Sequence, residues 1–95
     1  MNWEKPENRR LIKAFLAIKT EDEARRFLRD LMTRAEIVEF SNRLRAAEML
    51  SEKSPYSLVE QVTGMSSTTV ARVQRWLKQG KGGYKMILER LKEKQ

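Results

Sequence analysis

Three times in this 95-residue chain a hydroxyl residue stands three places before a glutamate: Thr20–Glu23, Thr33–Glu36 and Ser57–Glu60. In such a box each side chain can satisfy a backbone N–H that the first turn of a helix leaves unpaired. Each box is followed by apolar residues at helical spacing, so the pattern commits the chain to helices. Thr20 opens a helix carrying Ala24, Phe27, Leu28 and Leu31. Thr33 opens a longer one, to about Leu50, with the stripe Ile37, Phe40, Leu44 and Ala47 flanked by Val38 and Leu50. Ser57 opens a short helix with Leu58, Val59 and Val62 that stops at Gly64.

The remaining segments read the same way. Leu11, Ile12, Phe15, Leu16 and Ile18 give a first helix over about residues 8–18. Ser66 or Ser67 caps a fifth helix that turns Val70, Val73 and Leu77 inward and runs to Gly80, a glycine placed to end it in the left-handed conformation. After Gly80–Gly83 comes a last helix with Tyr84, Ile87, Leu88 and Leu91. Pro55 disfavours helical geometry in Ser54, which should lie outside any helix. No segment alternates with period two for long enough to suggest a strand. The expectation is an all-α chain of six short helices forming one domain, residues 1–95.

Length and composition narrow the function. A domain of this size hides only roughly two-thirds of the surface its unfolded chain exposes, a first hint of self-association. The chain has neither cysteine nor histidine. That removes disulfides, thiolate nucleophiles, the usual general base and the commonest metal ligands, and it is compatible with a reducing, cytoplasmic setting. No apolar run approaches the roughly 20 residues that span a bilayer. The polar start, with Glu4, Pro6 and Glu7, is not expected to be a signal peptide. Glu21, Asp22 and Glu23 suit a helix start, and Glu36 and Glu39 a solvated face beside Arg34 and Arg43. Gly80-Lys81-Gly82-Gly83 lacks the strand and spacing of a phosphate loop. No enzymatic activity and no cofactor is expected.

The charge is unevenly spread. Residues 1–65 hold 12 Lys/Arg against 11 Asp/Glu, whereas residues 66–95 hold 8 against 2, so nearly all of the net +7 lies in the last third. Such asymmetry suits a polyanion. The same region contains the elements of a helix-turn-helix: two short amphipathic helices joined at Gly64, with Val59, Val62, Met65, Val70 and Val73 to fix their crossing. At about 100° per residue, Thr68, Ala71, Arg72, Arg75 and Gln79 face away from Val70, Val73 and Leu77, and Ser67 opens the first turn. Short side chains let a helix end approach base edges in a major groove, and arginines reach guanine or phosphate. Lys78 and Lys81, with Lys85, would extend the phosphate contacts.

Taken in order, Leu31-Met32-Thr33, Asn42-Arg43-Leu44-Arg45-Ala46-Ala47-Glu48, Gly64 and Thr69-Val70-Ala71-Arg72 resemble the tryptophan-repressor family, in particular its short YerC/YecD-type branch, over about residues 10–94. The resemblance implies an intertwined homodimer built from the first three helices and the last, with double-stranded DNA read by helices four and five. It places DNA-reading positions on Ser66, Ser67, Thr68, Thr69 and Ala71. Glu60 stands where the repressor carries lysine, so helix four should contribute less. In the family two arginine planes sandwich the indole of free tryptophan beside a threonine, and the resemblance carries those roles to Arg45, Arg72 and Thr33. The small residues that make room for the ligand are replaced by Val73 and Trp76, so the effector pocket is expected to be degenerate and not to take tryptophan. The expected function is a sequence-specific transcriptional repressor without a membrane role.

Two readings from other classes remain at this point. One is a helical protein-interaction module that uses the amphipathic first and last helices. The other is a basic amphipathic helix over residues 84–95 lying on a membrane surface. A replication-initiator-like DNA-binding domain is a related alternative.

Overall fold

Local chemistry decides where each helix begins. The computed structural model describes residues 1–93, which form six helices and no strand. Lys94, counted in the basic tail, and Gln95 lie outside the described residues. The helices are α1 (Pro6–Leu16), α2 (Glu21–Leu31), α3 (Arg34–Ser51), α4 (Tyr56–Thr63), α5 (Ser67–Gln79) and α6 (Gly83–Glu93). None of them is long and apolar enough to cross a membrane. Contacts within the chain group into two units, one from Met1 to Ile37 and one from Val38 onward.

In the first unit, α1 starts earlier than its apolar residues suggest because Pro6 occupies the first helical position, where a missing N–H costs nothing. The carbonyl of Lys5 accepts from Asn8 and Arg9 at 3.0 and 3.1 Å. Thr20 caps α2 as the box predicts, accepting from the Glu23 N–H at 3.1 Å. Its glutamate reaches one residue further back than expected, to the Lys19 N–H at 3.0 Å. Arg29 closes the other end by donating to the Met32 carbonyl at 3.2 Å. Phe15 of α1 meets Phe27 of α2 edge to face, with centroids 5.8 Å apart. Neither helix contains a single buried residue, although Leu11, Ile12, Phe15 and Leu16 form a continuous apolar face on α1.

The capping box at α3 is complete. Thr33 Oγ1 accepts from the Glu36 N–H at 3.1 Å, and Glu36 Oε1 accepts from the Thr33 N–H at 2.9 Å. Donation from the Thr33 backbone N–H, with the Thr33 side chain adding to it, favours the ionised carboxylate and holds the Glu36 pKa below its ordinary value. At its far end α3 closes with a six-to-one bond, Ser54 N–H to Met49 C=O at 3.0 Å, around a five-to-two bond, Lys53 N–H to Leu50 C=O at 3.1 Å. This closure puts its left-handed residue on Lys53, at φ 69°, rather than on a glycine. Ser54 lies outside the helix, as Pro55 dictates.

The expected box at α4 does not form. Pro55 itself holds the cap position with extended geometry and without a side-chain bond, and α4 begins at Tyr56, so Ser57 lies inside the first turn. The proline ring fixes φ near the value a cap residue needs, which makes the hydroxyl redundant.

The core of the second unit joins Ala46, Ala47 and Leu50 of α3 to Val59 of α4, Val70, Val73 and Leu77 of α5, and Leu88 of α6. Two alanines with no exposed surface let the other helices approach the α3 backbone closely. Only the C-terminal part of the α3 stripe is buried. Val38 and Phe40, expected inside, are 55% and 42% exposed. Val62 was likewise expected to fix the α4–α5 crossing, yet it is 47% exposed. Thr63 takes the inward position, its hydroxyl donating to the Val59 carbonyl at 2.7 Å.

Candidate nucleic-acid interface

The link between α4 and α5 is built from three short-range bonds. Gly64 ends α4 at φ 73°, ψ 8°, and its N–H donates to the Glu60 carbonyl at 2.8 Å. A Cβ there would meet no atom, so the requirement for glycine is one of backbone geometry alone. The Thr63 hydroxyl, already donating backwards, accepts from the Met65 N–H at 3.2 Å and fixes the exit of the turn. Ser66 then caps α5, accepting from the Thr69 N–H at 3.2 Å.

The wheel expected for α5 is the one observed. Val70, Val73 and Leu77 are buried, while Ser67, Thr68, Ala71, Arg72, Arg75 and Lys78 are exposed, as is Lys81 just past the helix. The hydroxyl residues divide into two kinds. Ser66 and Thr69 share a hydrogen bond at 3.0 Å, and Thr69 is half-buried, so both oxygens are engaged locally. Ser67 and Thr68 keep exposed positions in the first turn, where free backbone N–H groups and the helix dipole favour an anion. Two small hydroxyl residues, a methyl and two guanidiniums thus share one solvent-facing strip about two turns long. Glu60, on α4, is half-buried.

The end of α5 differs from expectation. Gly80 is extended, at φ −78°, ψ −158°, and the left-handed glycine of the linker is Gly82, at φ 83°. Gly80 is required for space instead: a Cβ would collide with the Trp76 carbonyl, which accepts the Gly80 N–H at 2.9 Å.

Beside this strip lies a cavity of about 240 Å³ lined by Glu39, Arg43, Thr69, Arg72, Val73, Trp76 and Tyr84. Of the residues expected in a degenerate effector pocket, Arg72, Val73 and Trp76 are brought together here. Arg45 is not among them; it is exposed, and Arg43 stands beside Arg72 instead. Two positions on a helix differ by about 200°, so Arg43 and Arg45 cannot face the same wall. Thr33 is committed to the α3 cap. Val73 is core, 3% exposed, and Trp76 is 53% exposed at the cavity rim with the Arg75 guanidinium 5.9 Å from its ring centroid. Arg43 is held by Glu39 at 2.9 Å and lies over the Phe40 ring at 5.1 Å. Burial raises the Tyr84 pKa above its ordinary value, with the nearby Arg43 charge opposing.

Glu39, Arg43 and Tyr84 were missed as cavity residues. The i,i+4 spacing of Glu39 and Arg43 signals an ion pair on a helix, but it does not say which neighbour that face meets. Among the described residues no group of acidic, histidine or cysteine side chains is arranged to hold a metal ion.

Comparison with known proteins agrees with this architecture. The family described as Trp repressor protein matches residues 7–92. The uncharacterized protein YerC of Bacillus subtilis (strain 168) is 41% identical over 83 residues, covering 87% of this chain and 80% of YerC. A TrpR-like protein from Eubacterium eligens ATCC 27750 superposes with a TM-score of 0.89 at 37% identity, covering 94% of this chain and 92% of its own. A second solved chain, from Staphylococcus aureus, gives a TM-score of 0.88 at 36% identity, covering 97% and 95%. With a family match over nearly its whole length and relatives that share its six-helix fold, the chain belongs to the Trp repressor family of DNA-binding transcription regulators.

Proposed function

We propose that this protein is a homodimeric, sequence-specific regulator that occupies its operator as a repressor without needing free tryptophan. The observation that carries the DNA reading is the exposed strip of α5, where Ser67, Thr68, Ala71, Arg72 and Arg75 follow a left-handed turn and a serine-capped helix start. Ser67 and Thr68 suit contacts to base edges and the first-turn phosphate. Ala71 suits a thymine methyl, and Arg72 and Arg75 suit guanine or phosphate. Lys78 and Lys81 extend the cationic surface along the backbone. Repression, the finer part of the regulatory role, is drawn from the family.

Self-association is supported by α1 and α2, which contain no fully buried residue, and by the exposed apolar residues of α3 and α6, Val38, Phe40, Ile87 and Leu91. An apolar surface of that extent on so small a chain calls for a partner. Independence from tryptophan is supported by Val73 and Trp76, two bulky side chains that line the cavity beside Arg72 where the family resemblance calls for small ones.

Selection of bound duplexes from a random pool, followed by titration at several salt concentrations, tests the proposal. The expected result is an enriched, dyad-symmetric site whose log affinity falls linearly with log salt. Arg72→Ala should cost about 1–3 kcal/mol, roughly five- to 150-fold in affinity. Absence of duplex binding even in dilute buffer would defeat the reading, and calorimetric binding of free tryptophan at micromolar concentration would defeat its effector-free part.

A further inference from the structure

The cavity beside α5 holds an arrangement that the DNA reading leaves unused. Three charges line it: the Glu39 carboxylate and the Arg43 and Arg72 guanidiniums. Arg43 is already charge-paired through one nitrogen, with Nη2 2.9 Å from Glu39 Oε1 and its guanidinium over Phe40. Among the described residues no carboxylate lies within ion-pair distance of Arg72. The space is therefore cationic by one charge, walled by the Trp76 indole and the Tyr84 ring, and supplied with one carboxylate of its own.

We infer that Glu39 is an internal anion that determines the specificity of this cavity: by occupying Arg43 it denies a free carboxylate the second guanidinium such a ligand would need. A small organic acid entering here faces Arg72 on one side and a carboxylate on the other. To be gripped by both arginines it must displace a charge-assisted bond already formed within one helix. Like charge disfavours that exchange, and an intramolecular partner needs no association entropy. Removing Glu39 turns the same cavity into a two-arginine receptor for a small carboxylate, beneath the helix that carries the reading strip. The consequence for regulation, that DNA affinity is insulated from cellular carboxylates, rests on the DNA-binding reading. The binding property itself does not.

The test uses the full-length protein, with benzoate as the probe at constant ionic strength. The readout is the indole N–H resonance of Trp76, assigned with Trp3→Phe. Wild type is expected to show no saturable shift. Glu39→Gln is expected to show a saturable one, with association tightened roughly tenfold or more, the scale of a charge-assisted hydrogen bond released to the ligand. Glu48→Gln, the same change of charge elsewhere on α3, should behave as wild type. The exposed ion pair adds little to stability, so Glu39→Gln should fold, and its circular dichroism checks this. The inference is overturned if wild type binds benzoate as tightly as Glu39→Gln, if Glu39→Gln does not respond, or if Glu48→Gln responds equally. Duplex affinity is measured on the same samples. If no duplex binds while the benzoate responses follow the expected pattern, the DNA reading fails and the role of Glu39 stands.

Discussion

Single residues in this chain hold strain and satisfaction side by side. Lys53 is the clearest case, since the closure of α3 needs a left-handed residue and the chain supplies one with a Cβ. The left-handed region costs an ordinary L-residue about 1–2 kcal/mol, while glycine enters it freely. Part of that gain is offset by the greater freedom glycine gives the unfolded chain. Lys53→Gly should therefore stabilise the fold by about 1 kcal/mol and raise Tm by several degrees in a thermal melt. Unchanged or lowered Tm would mean that the lysine side chain contributes something its exposed position does not suggest. The sequence alone offered little warning here: the break before Pro55 was legible, but which residue would turn left-handed was not. The hydroxyl pair of Ser66 and Thr69 was similarly half-visible. A serine cap could be read from spacing, whereas the sharing of the two oxygens depends on side-chain rotamers that spacing does not set.

At the scale of helices, what was legible is what is local. The boxes at Thr20 and Thr33 and the cap at Ser66 depend on atoms three residues apart, so sequence suffices to find them. Ser57–Glu60 has the same spelling and fails, because Pro55 two residues earlier settles the start of α4 by its ring geometry. The inward set of α5 was fully readable, since a 3.6-residue period leaves one answer for Val70, Val73 and Leu77. The facing sets of α3 and α4 were not. Val62 is apolar and in phase, yet it points outward while Thr63 turns in and buries its hydroxyl by bonding to the helix backbone. Arg43 and Arg45 show the same weakness at the site, where a shift of two residues moves the chosen side chain to another face. A paired comparison measures this distinction. Val70→Ala should cost about 2–3 kcal/mol in chemical denaturation, from lost burial plus the cavity left behind. Val62→Ala should cost well under half of that in protein too dilute to self-associate. Equal losses would show that Val62 is covered in the folded chain.

For the whole molecule, the division of buried surface governs behaviour. Among the described residues everything fully buried belongs to α3 through α6, while α1 and α2 contribute no buried side chain. Under the proposed self-association those two helices gain their burial from a second copy. Stability then becomes linked to protein concentration by mass action. Sedimentation should show a dimer at micromolar concentration, and the denaturation midpoint should rise with each tenfold increase in protein. A midpoint independent of concentration, together with a monomeric mass, would argue against the dimer. The bare flank of α1 also has a consequence for dosage. If the operator-competent species contains two chains, its abundance at low expression grows with the square of the amount synthesised. Halving the supply then removes about three-quarters of it in the weak-association limit that mass action sets. A switch built this way takes its input from the rate at which the cell makes the polypeptide, and no metabolite has to be sensed for it to turn sharply.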